Sequence, residues 1–272
     1  MDRLQIALER ARAERDKVLA GSELKPDVAV VPAPEVDPVA TFVGIRSVAT
    51  RPGLMLGSSD MPSGTSIAAA AYKMLRTRVL QRMQEHGWNA LAVMSPMPND
   101  GKTFTAINLA ITIAADTKYT TLLVDFDLRK PSIARRFGFE PEFGVDDCLQ
   151  GRSSIAGALV APAGYDKLVL LPARQPQPHS SELLTSERAV KLVKELKDRY
   201  SNRIVIFDLP PVLGADDALA FAPLADCGLM VVGASRTGRD DLARSLEIMQ
   251  KLPFIGTVLN GSHTERSDGY LY

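Results

Sequence analysis

The sequence predicts an α/β fold built on a doubly wound, mostly parallel sheet that is flanked by helices. Continuous apolar runs of four or five residues, which are typical of strands buried on both faces, alternate with segments of helical character. A loop at residues 95–103 also follows one of these runs and precedes a helix-favouring segment. In such folds ligands bind at the carboxyl ends of the strands, so we expect the functional site there.

Six apolar runs are the predicted strands. They lie at residues 90–94, 121–125, 168–171, 204–207, 229–232 and 255–259. One helix is predicted before the first run, at about residues 65–85, and others at residues 181–199 and 239–251. Because strands and helices alternate along the chain, we expect the strands to pair in parallel.

The first twenty residues have a pattern of their own. Leu4, Leu8 and Ala11 recur at helical spacing among many charges, which predicts an N-terminal amphipathic helix at residues 1–20. Such a helix favours docking on a partner surface. A solvated or half-formed arm is the alternative, because a short helix is marginally stable alone.

The remaining boundaries follow from composition. Residues 21–64 contain six prolines with weak periodicity and are predicted to form an extended linker. The compact domain is expected at residues 65–260, and a flexible, tyrosine-containing tail at residues 261–272. At 272 residues and 46% hydrophobic composition, the chain has enough apolar residues for one core and an appendage.

Charge and cysteine content exclude several classes of function. Lys+Arg and Asp+Glu balance at 32 each, which gives no electrostatic case for a nucleic-acid or acidic-lipid binder. Two widely separated cysteines and three histidines argue against a disulfide framework or a zinc site, and they fit a reduced, cytoplasmic compartment. No apolar run approaches the length of about 18 residues that a membrane span needs.

The loop at residues 95–103 resembles a phosphate-binding loop in which Pro96 replaces the usual first glycine. Its backbone N–H groups and the N-terminus of the following helix would converge on one anion. Lys102 would reach the β- and γ-phosphates, and the Thr103 hydroxyl would ligate Mg²⁺. A chance Gly-Lys-Thr turn is the alternative. The predicted nucleotide-binding residues of this segment are Pro98, Asn99, Asp100, Gly101, Lys102, Thr103 and Phe104.

Three carboxylates stand at the ends of predicted strands. Asp125 and Asp127 end one strand and Asp208 ends another. Residues spaced by two on a strand point to the same face, so Asp125 and Asp127 could share one Mg²⁺ shell or divide metal binding and base catalysis between them. Helix caps and turns are the alternative role for such residues. For phosphoryl transfer we predict Thr103 and the three aspartates as metal ligands, and Lys102, Asp125 and Asp127 as catalytic residues.

Together these motifs are similar to those of a known family. Residues 98–103, 122–131 and 206–211, with Asp217-Ala218, resemble the Walker A, A′ and B motifs of bacterial tyrosine kinases, the P-loop autokinases of capsule and exopolysaccharide export. The resemblance extends to residues 181–186 and 256–260 and covers roughly residues 65–272.

The resemblance implies a P-loop NTPase fold with ATP and Mg²⁺ as cofactors. It implies that Asn260 lies near the adenine base and that the kinase phosphorylates its own C-terminal tyrosines, here Tyr270 and Tyr272. It also implies a homo-oligomer and a membrane-embedded polysaccharide chain-length regulator as activator, which would make the protein cytoplasmic and peripheral to the inner membrane. The opening helix and proline-rich linker most resemble the separate kinases of exosortase-associated gene clusters.

Two departures keep other functions open. The tail holds only two tyrosines, and the first helix of the domain has Ala70, Lys73 and Arg76 where the family often has an acidic residue and two arginines for subunit contacts. A nucleotide-switched assembly ATPase of the same fold, without kinase activity, is therefore the alternative. Partitioning ATPases usually carry a lysine where this chain has Met97. A small-molecule kinase would need a substrate lid that the sequence does not reveal.

Overall fold

A single mixed sheet runs through the part of the chain that the computed structural model describes, residues 45–49, 67–115, 118–200 and 202–262. In chain order its strands are β1 (Arg46–Val48), β2 (Ala90–Met94), β3 (Thr120–Asp125), β4 (Val160–Pro162), β5 (Leu168–Leu171), β6 (Arg203–Asp208), β7 (Cys227–Gly233) and β8 (Phe254–Asn260). Their spatial order is β1-β4-β5-β3-β6-β2-β7-β8. Among these strands only β4 and β5 pair antiparallel, which confirms the predicted, mostly parallel sheet.

Helices cover both faces of the sheet. Within the described residues they are α1 (Ile67–His86), α2 (Lys102–Ala114), α3 (Ile133–Phe137), α4 (Val145–Leu149), α5 (Ile155–Ala158), α6 (Ser180–Leu184), α7 (Glu187–Asp198), α8 (Asp217–Phe221) and α9 (Arg239–Ile248). A 3₁₀ turn at Ala222–Leu224 follows α8. No helix of the described residues is long and apolar enough to cross a membrane.

The core has two layers, one on each face of the sheet. Along β2, Leu91 and Val93 pack with the apolar residues of α1 and α2, whereas Ala92 and Met94 pack on the opposite face. All five residues of β2 are buried. This explains the continuous apolar runs in the sequence, because a strand covered by helices on both faces has no solvent-exposed face.

The six predicted strands are confirmed, and two short strands were missed. Strands β1 and β4 contain three residues each, too few to show a period, and Arg46 pairs with Val160 at the sheet edge. Strand β1 falls inside the range predicted as a linker. The predicted N-terminal helix at residues 1–20 and the tail residues Tyr270 and Tyr272 lie outside the described residues.

The helix predicted at residues 181–199 is two helices, α6 and α7. The chain leaves α6 at Thr185 and restarts at Ser186, whose side-chain oxygen accepts a hydrogen bond from the Ala189 N–H at 3.2 Å. This is an N-cap, and it satisfies one of the free N–H groups at the start of α7. The prediction joined the two because both segments are rich in helix-forming residues.

Three phenylalanines fix the strand ends that the site uses. Phe126 follows β3, Phe207 lies in β6 and Phe221 ends α8, and all three are fully buried. Their ring centroids lie 5.4 Å (Phe126 to Phe207), 5.0 Å (Phe126 to Phe221) and 4.8 Å (Phe207 to Phe221) apart. This cluster packs α8 against the carboxyl ends of β3 and β6.

Candidate active site

The loop between β2 and α2 is closed by its own side chains. The Ser95 hydroxyl donates to the Met97 carbonyl at 2.8 Å, and the Met97 N–H donates to the Asp100 carboxylate at 2.9 Å. Asn99 and Gly101 adopt left-handed backbone conformations, with φ of 67° and 97°. These local bonds form the tight turn although Pro96 stands at the position of the usual first glycine.

Asn260, at the end of β8, lies directly against this loop. Its side-chain amide nitrogen donates to the Asp100 carbonyl at 2.9 Å. A Cβ atom on Gly101 would stand 1.9 Å from that nitrogen, so any larger residue would displace the Asn260 side chain. The contact makes Asn260 a support of the loop, a role that the sequence did not suggest; its placement near an adenine base stays a prediction.

Gly233, the last residue of β7, and Arg236, just after that strand, support the loop from the same side, and sequence reasoning missed both. A Cβ atom on Gly233 would lie 2.5 Å from the Asp100 side chain, and the Arg236 guanidinium donates to the Asn99 carbonyl at 3.0 Å. These contacts exist because β7 pairs with β2. The only signal in the sequence is the glycine at the end of an apolar run.

Helix α2 begins at the loop with Lys102 and Thr103, and both side chains are buried. Of the other predicted nucleotide-binding residues, Pro98 and Asn99 are exposed on the loop, whereas Phe104 is half-buried and meets the Tyr72 ring edge-on at 6.3 Å. The first N–H groups of a helix have no partner within it, and the helix dipole favours an anion there. The structure therefore brings the predicted lysine and threonine to an anion-binding helix end.

Lys102 is paired with the carboxylates that the sequence predicted beside it. Its Nζ atom lies 2.7 Å from Asp127 Oδ2 and 3.6 Å from Asp208 Oδ1, and none of these side chains is more than 10% exposed. Burial alone would lower the pKa of Lys102, but Asp208 and Asp127 outweigh it, and the net pKa is raised. The ammonium group therefore stays charged.

Asp125 and Asp208 stand side by side where β3 and β6 end, because the two residues are direct partners in the sheet. Asp125 accepts hydrogen bonds from the Ser132 and Ile133 N–H groups at 2.9 and 3.0 Å through one oxygen. Burial, reinforced by the Asp208 charge, raises the pKa of Asp125 to about 8. Burial also raises the pKa of Asp208, and the Lys102 ammonium only partly offsets that rise.

Asp125 Oδ1 has no hydrogen-bond partner within the described residues, and Asp208 makes no short hydrogen bond there: its partners are the Lys102 ammonium, 3.6 Å from Oδ1, and the Thr103 hydroxyl. Asp127, in contrast, is occupied by Lys102 and by the Lys130 N–H at 3.1 Å. In the described part of the chain, no three His, Cys, Asp or Glu side chains form a ready metal site. Mg²⁺ usually takes one or two carboxylates together with phosphate oxygens and water. The free Asp125 oxygen and the weakly partnered Asp208 carboxylate fit that kind of ion.

The altered face of α1 is also visible. Ala70 and Lys73 are exposed, whereas Arg76 is half-buried and directs its guanidinium to the Thr112 carbonyl at 3.4 Å. That carbonyl belongs to the last turn of α2, where a cation interacts favourably with the helix dipole. Arg76 thus makes a contact inside its own chain.

Known proteins similar to this chain include tyrosine-protein kinases, in agreement with the motifs. No family model matches the chain. It is 29% identical over 214 residues to the tyrosine-protein kinase YwqD of Bacillus subtilis, covering 78% of this chain and 89% of that protein. It is 31% identical over 236 residues to the tyrosine-protein kinase wzc of Salmonella typhimurium, covering 86% of this chain but only 31% of that longer protein.

A solved structure agrees with these relatives. The kinase domain of VpsO superposes with a TM-score of 0.63 at 28% identity, over 71% of this chain and 95% of that domain. The likeness therefore covers nearly the whole of a kinase domain.

Proposed function

The chain belongs to the bacterial tyrosine kinases, and from that premise we propose that it transfers the γ-phosphoryl group of ATP·Mg²⁺ to its own tyrosines and so regulates exopolysaccharide synthesis or export. One observation carries the proposal: a buried lysine at a helix N-terminus pairs with Asp127 and Asp208, and Asp208 stands beside Asp125, whose second oxygen has no hydrogen bond in the described structure. A lysine and a helix N-terminus can bind the phosphates of ATP, and buried carboxylate oxygens can bind its Mg²⁺ ion.

Each residue has a role in this proposal. The first N–H groups of α2 and the Lys102 ammonium bind the phosphates, and Lys102 exchanges its Asp127 partner for them. Thr103, Asp125 and Asp208 are the residues that would hold Mg²⁺. The metal ion supplies neutralisation of the charge on the phosphoryl group. Asp127, once Lys102 has left it, accepts the proton of the attacking hydroxyl.

The proposed acceptors are Tyr270 and Tyr272. Twelve residues follow Asn260, and at about 3.3–3.6 Å per extended residue they would reach on the order of 40 Å. That length is sufficient for the active site of a neighbouring subunit, which supports a homo-oligomer that phosphorylates in trans.

The proposed setting is the cytoplasm, peripheral to the inner membrane through a membrane-embedded chain-length regulator that activates the kinase. The balanced charge of the chain supports a protein partner rather than a nucleic acid. The amphipathic pattern at residues 1–20 makes that segment the candidate docking element. Assignment to the exosortase-associated branch stays a prediction.

The test is phosphotransfer from labelled ATP with Mg²⁺ by the purified chain, with and without the cytoplasmic part of the regulator. Lys102→Met should abolish labelling, and Tyr270→Phe/Tyr272→Phe should remove the label from the tail. Lys191→Met is the matched control, because that lysine is 80% exposed and its one ion pair within the described residues is with Glu187 on the surface of α7.

Three outcomes separate the alternatives. ATP binding without any label on tyrosine, even with the regulator, would contradict the kinase proposal and favour the assembly ATPase. Label that survives in the double tyrosine variant would move the acceptor elsewhere, for example to Tyr165 or Tyr200. Loss of label in Lys191→Met would show that the assay reports folding rather than the site.

A further inference from the structure

Arg129 links two segments of the site that are distant in sequence. It lies two residues after Asp127, and its Nε atom donates to Asp217 Oδ2 at 2.7 Å while a terminal nitrogen donates to Asp216 Oδ1 at 3.1 Å. Asp217 begins α8 and is fully buried, and its other oxygen has no hydrogen bond within the described residues. The guanidinium of Arg129 is thus the neutralising group of a buried carboxylate.

The segment that carries Arg129 is held by three different parts of the chain in three successive residues. Asp127 pairs with Lys102 of the loop, and the Leu128 carbonyl accepts the Gln177 N–H at 2.8 Å. Arg129 then pairs with α8. The segment after β3 therefore meets the phosphate-binding loop, the loop after β5 and the helix that follows Asp208.

Helix α8 is tied to both strand ends at two levels. In the core, the ring of Phe221 in α8 packs against the buried rings of Phe126 and Phe207 at the two strand ends. At the surface, the Arg129 side chain is 42% exposed and reaches over from the β3 end. Since Phe207 directly precedes Asp208, this arrangement fixes the position of the Asp127 segment relative to Asp208.

Arginine suits this position for a geometric reason. The planar fork of guanidinium donors can pair with two neighbouring carboxylates at once, whereas a lysine ammonium is a single point charge. Removing the arginine would leave the buried Asp217 charge without its partner, and buried unpaired charges force local rearrangement. The rearrangement would involve α8 and the segment that carries Arg129 and Asp127.

We propose that Arg129 is a positioning residue that aligns Asp127 with Asp208 across the active site through its ion pairs with α8. It acts through these carboxylates and need not touch the nucleotide. The expected effect on kinase activity rests on the proposed function. The alignment of Asp127 with Asp208 should also affect how Mg²⁺ and nucleotide bind together.

The chain offers a matched control. Arg152 pairs with the buried Asp147 at 2.8 Å, and the side-chain exposures of that pair, 45% and 2%, nearly equal the 42% and 0% of Arg129 and Asp217. Asp147 lies in α4, and neither residue contacts Lys102 or the three site aspartates in the described structure. Asp147 also keeps Arg174 at 3.1 Å, so Arg152→Gln measures the effect of removing one arginine from a buried carboxylate elsewhere, without leaving that carboxylate unpaired.

The experiment compares Arg129→Gln, Arg129→Lys and Arg152→Gln with wild type in two assays. The first measures the dissociation constant of a fluorescent ADP analogue with and without Mg²⁺; the ratio of the two constants is the coupling between metal and nucleotide. The second measures kcat and KM for tyrosine phosphorylation. In Arg129→Gln we expect kcat to fall about tenfold or more, since small misplacements of reacting groups cost that much, with little change in KM for ATP.

The same variant should lose at least about fivefold of the metal–nucleotide coupling, whereas Arg152→Gln should keep both quantities within about twofold of wild type. Arg129→Lys should fall between, because it retains the charge but spans only one carboxylate. Equal behaviour of Arg129→Gln and Arg152→Gln in both assays would overturn the proposal. If Arg129→Gln does not fold, wild-type kcat and coupling in Arg129→Lys would overturn it.

The two proposals can fail separately. A wild-type chain that binds the analogue with a Mg²⁺-dependent gain but transfers no phosphoryl group would end the proposed function. The coupling ratio of the Arg129 variants would still decide the positioning role.

Discussion

At the scale of single residues, the site is distinguished by how unequally its carboxylates are compensated. Asp127 has a close buried ammonium and a backbone N–H as partners, whereas the neighbouring Asp208 has only the more distant Lys102 ammonium, at 3.6 Å, and the Thr103 hydroxyl. Burying a carboxylate with weak partners costs stability. The chain therefore maintains an unfavourable arrangement at the place where a bound metal ion would relieve it.

Gly101 should be the least replaceable residue of the loop. In Gly101→Ala, the φ of 97° strains any side chain, and the new methyl group would collide with Asn260 at 1.9 Å. We expect a loss of about 1–3 kcal/mol in the free energy of unfolding together with a loss of nucleotide binding, measured by denaturant titration and by a fluorescent nucleotide.

A second glycine separates the two causes. Gly164 has a φ of 84° but no atom within 4 Å of its missing Cβ, so Gly164→Ala should show the backbone strain alone, about 1 kcal/mol, with normal nucleotide binding. If Gly101→Ala were no worse than Gly164→Ala, the contact with Asn260 would not be important.

The sequence predicted some of these residues and could not predict others. Lys102 and Asp208 were found because a loop motif and a strand end mark them locally. Gly233 and Arg236 were not, because they contact the loop as a result of the pairing of β7 with β2. The local sequence does not indicate which strand lies beside β7. Arg129 was visible within a motif, but its partner lies 88 residues away.

At the scale of secondary-structure elements, the break between α6 and α7 is determined locally, by the capping residue Ser186. Ser186→Ala removes the side-chain acceptor of the Ala189 N–H and should cost about 1 kcal/mol of stability, the usual value of an N-cap. Nucleotide affinity should not change. The control Ser181→Ala removes a hydroxyl that caps no N–H group in the described structure, and an equal loss there would contradict the capping role.

Elements of ordinary length were predictable, and short ones were not. Strands such as β3 and β6 have six residues each, all of them buried, and appear in the sequence as apolar runs. Helices α3 to α5 have four or five residues and form around turns and caps. Hydrophobic periodicity needs about two turns to become visible, so these were missed.

At the scale of the whole molecule, the incompletely compensated carboxylates should couple metal binding to folding stability. A carboxyl group whose pKa is higher in the folded than in the unfolded chain destabilises the fold at neutral pH, because its charged form is penalised there. Burial raises the pKa of Asp208 in this way. Asp208→Asn should therefore raise the melting temperature of the metal-free protein.

The same substitution should weaken stabilisation by Mg²⁺ and ADP. A ligand present at 100 times its dissociation constant adds about 2.7 kcal/mol to the stability of wild type, and the Mg²⁺-dependent part of this gain should vanish in Asp208→Asn. Thermal unfolding with ADP, with and without Mg²⁺, measures both effects. A variant that is less stable than wild type without metal, yet equally stabilised with it, would contradict this account.

The ion pair between Lys102 and Asp127 has a consequence for which anions the site admits. Asp127 is a competitor for Lys102 that never diffuses away, and tethered groups of this kind act at effective concentrations of about millimolar or more. A lone anion such as sulfate or inorganic phosphate must win that competition with few contacts of its own. A nucleoside triphosphate would bring several contacts and a metal ion, so we expect the resting pair to keep small anions such as sulfate off the lysine while still admitting the nucleotide.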